Sequence, residues 1–98
     1  MPYFVVTLEC GPAWDAARSM REQERWDEHA AYMDGLVEEG FIVLGGPLGD
    51  GPKRMLVVKA ESEEAIERRL APDSWRSMQL LRTVSVQRWK ILLGEPSA

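Results

Sequence analysis

The segment from His29 to Asp50 constrains the fold of this chain more than any other. A helix rotates by about 100° per residue, and at this rotation the residues from Trp26 to Gly40 form one apolar stripe. That stripe consists of Trp26, His29, Ala30, Met33, Leu36, Val37 and Gly40. Gly40 suits the left-handed position that follows a helix end, and the apolar run 41–45 comes directly after it. With the residues before it, the segment therefore predicts a helix over about 20–39, opened by a Ser19-x-x-Glu22 capping box, and then a strand. The helix could also begin near Pro12, but a short irregular or helical piece at 13–18 is favoured.

The remaining sequence supplies three further strands and a second helix. Residues 3–9 alternate with a period of two, 55–58 form an apolar run, and 82–93 form a long last strand. In that last strand Val84 and Val86 share one face and Trp89 lies on the other, which suggests a bulge. Ser62 can cap a helix over 63–70, and 76–81 stays ambiguous.

The element order predicts an α+β fold of the ferredoxin-like βαββαβ type. Its sheet has four antiparallel strands, and the chain 1–98 forms a single domain with a flexible tail at 93–98. Two helices can cover one face of such a sheet, yet the second and third strands are apolar on both faces. The uncovered face therefore predicts a homodimer packed sheet to sheet.

Composition restricts the partners that this chain is expected to have. The net charge of −4 comes from interleaved acids and bases, without a basic patch, so nucleic-acid binding is not expected. No apolar stretch approaches the roughly 18 residues of a membrane span, and a cytoplasmic protein without membrane contact is expected. Cys10 is the only cysteine, which excludes an internal disulfide and a thiolate zinc site.

Several residues are candidates for chemistry, each with a structural alternative. His29, the only histidine, is either a general acid or base in a small pocket or a core residue that donates one hydrogen bond. Asp34 lies about 140° from His29 around the helix and is a poor partner for it. Cys10 is better explained as a small buried residue than as a nucleophile. The glycine-rich stretch 45–53 lacks the Gly-Lys-Ser/Thr ending of a phosphate loop and is interpreted as a strand connection.

Five pieces of the sequence match a known family. They are His29-Ala-Ala-Tyr32-Met33 with Leu36, Glu39-Gly40-Phe41, Gly46-Pro47-Leu48, Asp73-Ser74-Trp75 and Val84-Ser-Val86-Gln-Arg88-Trp89. On these residues the chain resembles the YciI-like (YCII-related) family of the dimeric α/β barrel superfamily. The likeness runs from Tyr3 to Leu92, and it departs from the family pattern at Ser74, where the family usually has proline.

The resemblance implies a homodimer whose subunits each carry a cleft with His29 and Asp73. In that cleft His29 would move a proton, Asp73 would orient it, and Trp26, Met33 and Trp75 would exclude water. Gly46 and Pro47 would form its rim. The function implied is a cofactor-independent acid-base enzyme, an isomerase or lyase acting on a small organic molecule. The alternative is a non-catalytic metabolite-binding or accessory module, and neither reading requires a cofactor or a metal.

Overall fold

A computed structural model describes residues 1–94 of the chain. Its four strands are β1 (Tyr3–Cys10), β2 (Ile42–Pro47), β3 (Lys53–Lys59) and β4 (Leu81–Trp89). Its helices are α1 (Trp26–Glu38), α2 (Glu63–Leu70) and the short α3 (Ser74–Ser77), and a 3-10 turn spans Met20–Glu22. The strand order is β2-β3-β1-β4, and each pair of neighbours is antiparallel. The predicted ferredoxin-like α+β fold is confirmed.

Alternation along the central strand β1 decides which side of the sheet the helices cover. Phe4, Val6 and Leu8 are buried, whereas the residues between them are only partly buried. Val6 pairs with Leu56 of β3 and with Val86 of β4, so these positions share one face. The helices complete the core on this face with Leu36, Ile66, Leu70 and Trp75.

The predicted helix 20–39 is wrong at its beginning, because α1 starts only at Trp26. Ser19 and Glu22 do interact, but they close the 3-10 turn: the Glu22 carboxylate accepts from the Ser19 amide at 2.9 Å. This hydrogen bond favours the charged form and lowers the pKa of Glu22. The backbone then turns through Arg25, which has a left-handed φ of 59°.

The buried side chain of Gln23 explains why the helix does not continue backwards. Its Nε2 donates to the carbonyl of Asp15 at 2.7 Å and to that of Arg18 at 3.2 Å. Its Oε1 accepts from the Asp15 amide at 3.1 Å. A side chain that binds the backbone in this way competes with helical hydrogen bonds, and here it holds the loop 11–18 closed.

Strand boundaries differ from the prediction by a few residues. β2 continues to Pro47, β3 begins at Lys53, and β4 ends at Trp89, so the connection between β2 and β3 is only 48–52. The predicted bulge is present, because Thr83 pairs with Leu8 and Ser85 with Thr7. The predicted common face of Val84 and Val86 is wrong. Val84 is the extra residue of the bulge and is half exposed, whereas Val86 packs on the core.

The face of the sheet away from the helices carries a band of apolar side chains. Its outward positions include Tyr3, Val5, Leu44, Met55, Val57 and Trp89. Leu44 and Trp89 are 54% and 43% exposed. Of the predicted tail 93–98, residues 95–98 lie outside the described part of the chain. Over residues 1–94, no helix combines the length and apolar character that crossing a bilayer requires.

Candidate active site

A cavity of about 290 Å³ lies between α1 and the core-facing side of the sheet. Its walls are mainly apolar and include Leu8, Met20, Trp26, Met33, Ile42, Leu56, Trp75 and Leu81. The ionisable side chains in the wall are His29, Asp34 and Arg54. A volume near the lower end of the range for ligand pockets suits a molecule of about one ring.

His29 and Asp73 form a buried pair at the back of this cavity. Nδ1 of His29 lies 2.9 and 2.8 Å from the two carboxylate oxygens of Asp73. Both residues are less than one-tenth exposed. A carboxylate at this position accepts the hydrogen of Nδ1 and so fixes the tautomer and the orientation of the ring.

Asp73 is held in place by a second hydrogen bond. Its Oδ1 accepts from the Trp75 amide at 3.2 Å, which makes Asp73 the N-cap of α3. The capping bond forms with Ser74, and not a proline, as the first residue of α3. Asp73 therefore turns the chain and binds His29 at the same time.

Trp75 fixes the plane of the imidazole. The rings of His29 and Trp75 stack with centroids 3.9 Å apart and an angle of 4°. Trp75 has no exposed surface, and its indole N–H donates to the carbonyl of Glu24 at 2.8 Å. Trp26 packs at an angle against both rings, at 5.7 Å from Trp75 and 5.9 Å from His29.

The second nitrogen of His29 faces the cavity. His29 belongs to the cavity wall and Asp73 does not, so the Nδ1 edge points away from the ligand space. Within residues 1–94, Nε2 makes no hydrogen bond, and it keeps some accessible surface. The arrangement leaves one imidazole nitrogen free to exchange a proton with a bound molecule.

The structure brings the other predicted residues to the same place. Trp26, Met33, Gly46, Pro47 and Trp75 all line the cavity. Asp34 also lines it, but among the described residues it makes no hydrogen bond to His29, in agreement with its predicted position on the helix.

Arg54 is a wall residue that the sequence analysis missed. It pairs with Leu8 of β1 and Pro47 of β2, on the same face as Leu56. The strand pattern could have identified it, because Arg54, Leu56 and Val58 alternate along β3 and share one face. A strand that begins only at Met55, as the apolar run predicts, leaves Arg54 in the loop.

Other candidates lie apart from this cavity. Cys10 is partly buried at the end of β1, and burial raises the pKa of its thiol, which disfavours the nucleophilic thiolate. Part of the stretch predicted as a loop, Gly45 to Pro47, belongs to β2 and reaches the cavity wall. In the described part of the chain, no three histidine, cysteine or acidic side chains are close enough to hold a metal ion.

Comparison with known proteins gives a structural relative. No family model matches the chain, and no curated protein matches it. The structure is similar to 5-chloro-2-hydroxyhydroquinone dehydrochlorinase (TftG) from Burkholderia phenoliruptrix AC1100, solved in complex with 2,5-dihydroxybenzoquinone. The TM-score is 0.57 at 23% identity, over 89% of this chain and 93% of the other. At this identity the likeness establishes a shared fold.

Proposed function

We propose that this protein is a cofactor-independent acid-base enzyme of the YciI-like type in the dimeric α/β barrel superfamily. It acts as an isomerase or lyase on a small organic molecule bound beside His29. The observation that carries the proposal is the buried pair of His29 and Asp73, whose free imidazole edge faces an apolar cavity. A fixed orientation of the imidazole favours proton transfer to or from a bound molecule, and apolar walls reduce competition from water.

The proposed chemistry is a proton transfer with no external electron donor or acceptor. Nε2 of His29 takes a proton from a C–H or O–H bond of the substrate. The electron pair of that bond then either expels a halide from a nearby carbon or shifts to form a new double bond. In the first case the proton and halide leave as HX, and in the second His29 returns the proton to another carbon. Asp73 stabilises the imidazolium that forms between these steps.

The proposal includes a homodimer formed through the uncovered face of the sheet. Exposed apolar residues on that face, Leu44 and Trp89 among them, would be buried by a second copy of the chain around a two-fold axis. The depression bordered by Met55, Val57 and Ile91 on the same face would then be closed.

Turnover by the His29 variant is the direct test. The structural neighbour suggests the first substrate, 5-chloro-2-hydroxyhydroquinone, to be assayed with other chlorinated hydroxyaromatics and small lactones by chloride release and absorbance. Replacing His29→Asn should lower kcat by about a thousandfold, since removal of a catalytic acid or base costs of this order. Glu28→Gln, a neutralisation at an exposed neighbouring position, should not change kcat. Undiminished turnover by His29→Asn would exclude the mechanism.

Asp73→Asn separates the enzyme from the metabolite-binding alternative. An asparagine oxygen can still cap α3, but the amide no longer accepts the Nδ1 hydrogen as a carboxylate does. The enzyme should therefore lose about a hundredfold or more in kcat while its thermal midpoint stays close to that of the parent. A protein that binds ligands of the panel with equal affinity in both forms, and converts none, would be the binding module instead.

A further inference from the structure

We infer that Arg54 is the anchor for an anionic group on the ligand, so that the cavity selects single-ring carboxylates or phenolates. The inference rests on the proposed function only in placing the ligand in the cavity beside His29. It is supported by the position of a guanidinium without an ion-pair partner in a wall that, apart from His29 and Asp34, is apolar.

Arg54 occupies a position that an apolar residue would normally fill. It lies in register between Leu8 and Pro47, on the face of the sheet that packs against the helices. Its phase along β3 is that of Leu56 and Val58, both of which are buried. A half-buried charge at such a position is unfavourable unless another group compensates it.

The surroundings of Arg54 orient the guanidinium without neutralising it. Its central carbon lies 4.8 Å from the ring centroid of Trp14, and Nη1 donates to the carbonyl of Gly51 at 3.4 Å. Within residues 1–94, no carboxylate lies within 4.0 Å of it, whereas Arg69, Arg76 and Arg82 all form ion pairs. Most donors of Arg54 therefore remain available to an oxygen ligand.

Asp34 restricts where a ligand anion can lie. It also lines the cavity, but it projects from an exposed position of α1 and forms no ion pair with Arg54 in the described structure. Repulsion by this carboxylate disfavours an anion near α1 and leaves Arg54, on the sheet, as the favourable contact. A planar ligand whose anionic group is held by Arg54 would extend its uncharged ring toward Trp26 and Met33, next to His29.

This placement also assists the proposed proton transfer. When a base removes a proton from a carbon next to a carbonyl, or from a phenol hydroxyl, negative charge develops on the ligand oxygen. A guanidinium bound to that oxygen stabilises the charge, and the apolar walls of the cavity strengthen this interaction. Arg54 would thus determine specificity and support the reaction at one contact.

The test compares two probes of similar size and shape, benzoate and benzamide. Dissociation constants are measured from the ring signals of His29, which are unambiguous because the chain has one histidine. The parent should bind benzoate about tenfold more tightly than benzamide. Arg54→Gln should abolish that preference and leave the affinity for benzamide within twofold, and Arg54→Lys should keep part of it. Arg68→Gln removes the same charge from α2, outside this cavity, and should leave the preference intact.

The outcomes distinguish this inference from the proposed function. Equal binding of the two probes by the parent, a preference that survives Arg54→Gln, or no binding of either probe would overturn it. The anchor stands without the enzyme if the benzoate preference depends on Arg54 while no substrate of the panel is converted. In His29→Asn the benzoate preference should persist, as measured by tryptophan fluorescence, even though turnover is lost.

Discussion

At the scale of single residues, the site depends on one histidine held by two neighbours. Asp73 accepts from Nδ1 of His29, and Trp75 supports the face of the ring. The burial of His29 was predictable from helical spacing. Its contact with Asp73, 44 residues further along the chain, was predicted only from the family resemblance, because periodicity carries no information about contacts between distant elements.

Trp75 should be the residue whose replacement most disturbs this arrangement. Trp75→Phe leaves the carbonyl of Glu24 without its indole partner and creates a small void against His29. We expect a loss of about 2 kcal/mol in the free energy of unfolding, measured by urea denaturation. Arg68→Ala changes an exposed residue of α2, away from both the site and the uncovered face, and should cost much less. Similar losses in the two variants would contradict the role assigned to Trp75.

At the scale of elements, the four strands and their places along the chain were predictable from the sequence, whereas the start of α1 was not. The alternation of apolar residues in β1 and the continuous apolar runs of β2 and β3 are local patterns, and such patterns identify strands directly. The residues before α1 have helical spacing and a capping motif, but Gln23 binds the loop backbone and prevents the helix there. A single buried polar side chain thus overrides the local preference.

Gln23→Ala tests this account of the helix start. The substitution leaves the amide and the carbonyl of Asp15 without their side-chain partner in a partly buried loop. The free energy of unfolding should fall by about 2 kcal/mol. The control is Glu38→Ala, at an exposed position of α1, which should change it by less than about 0.5 kcal/mol. A Gln23 variant as stable as this control would mean that the loop closes without the side chain.

At the scale of the whole molecule, the sheet divides the chain into a side with the cavity and a side without cover. The sequence predicted that helices cover one face and that the other face is apolar and uncovered, since strands that are apolar on two faces need two partners. It could not place the cavity, because the gap depends on how α1 and α3 sit over the ends of β2 and β3. That arrangement follows from the packing of Trp26 and Trp75, which local patterns do not encode.

Two half-exposed apolar residues on opposite sides of the sheet allow a matched test of the dimer. Leu44 lies on the uncovered face and is 54% exposed, whereas Val37 belongs to α1, on the side that the helices cover, and is 49% exposed. We expect the parent to sediment as a dimer and Leu44→Glu to sediment as a monomer, because a buried unpaired carboxylate opposes association. Val37→Glu should remain dimeric. A parent that sediments as a monomer at micromolar concentration would refute the dimer.

The clamped imidazole has a stereochemical consequence. Asp73 and Trp75 hold the ring so that only one nitrogen, in one direction, meets the ligand. A planar ligand seated against the cavity wall presents one side to that nitrogen. In the proposed reaction, a proton that is removed and later returned by His29 would therefore leave and arrive on the same side of the plane, so that any new tetrahedral carbon would be formed with a single handedness.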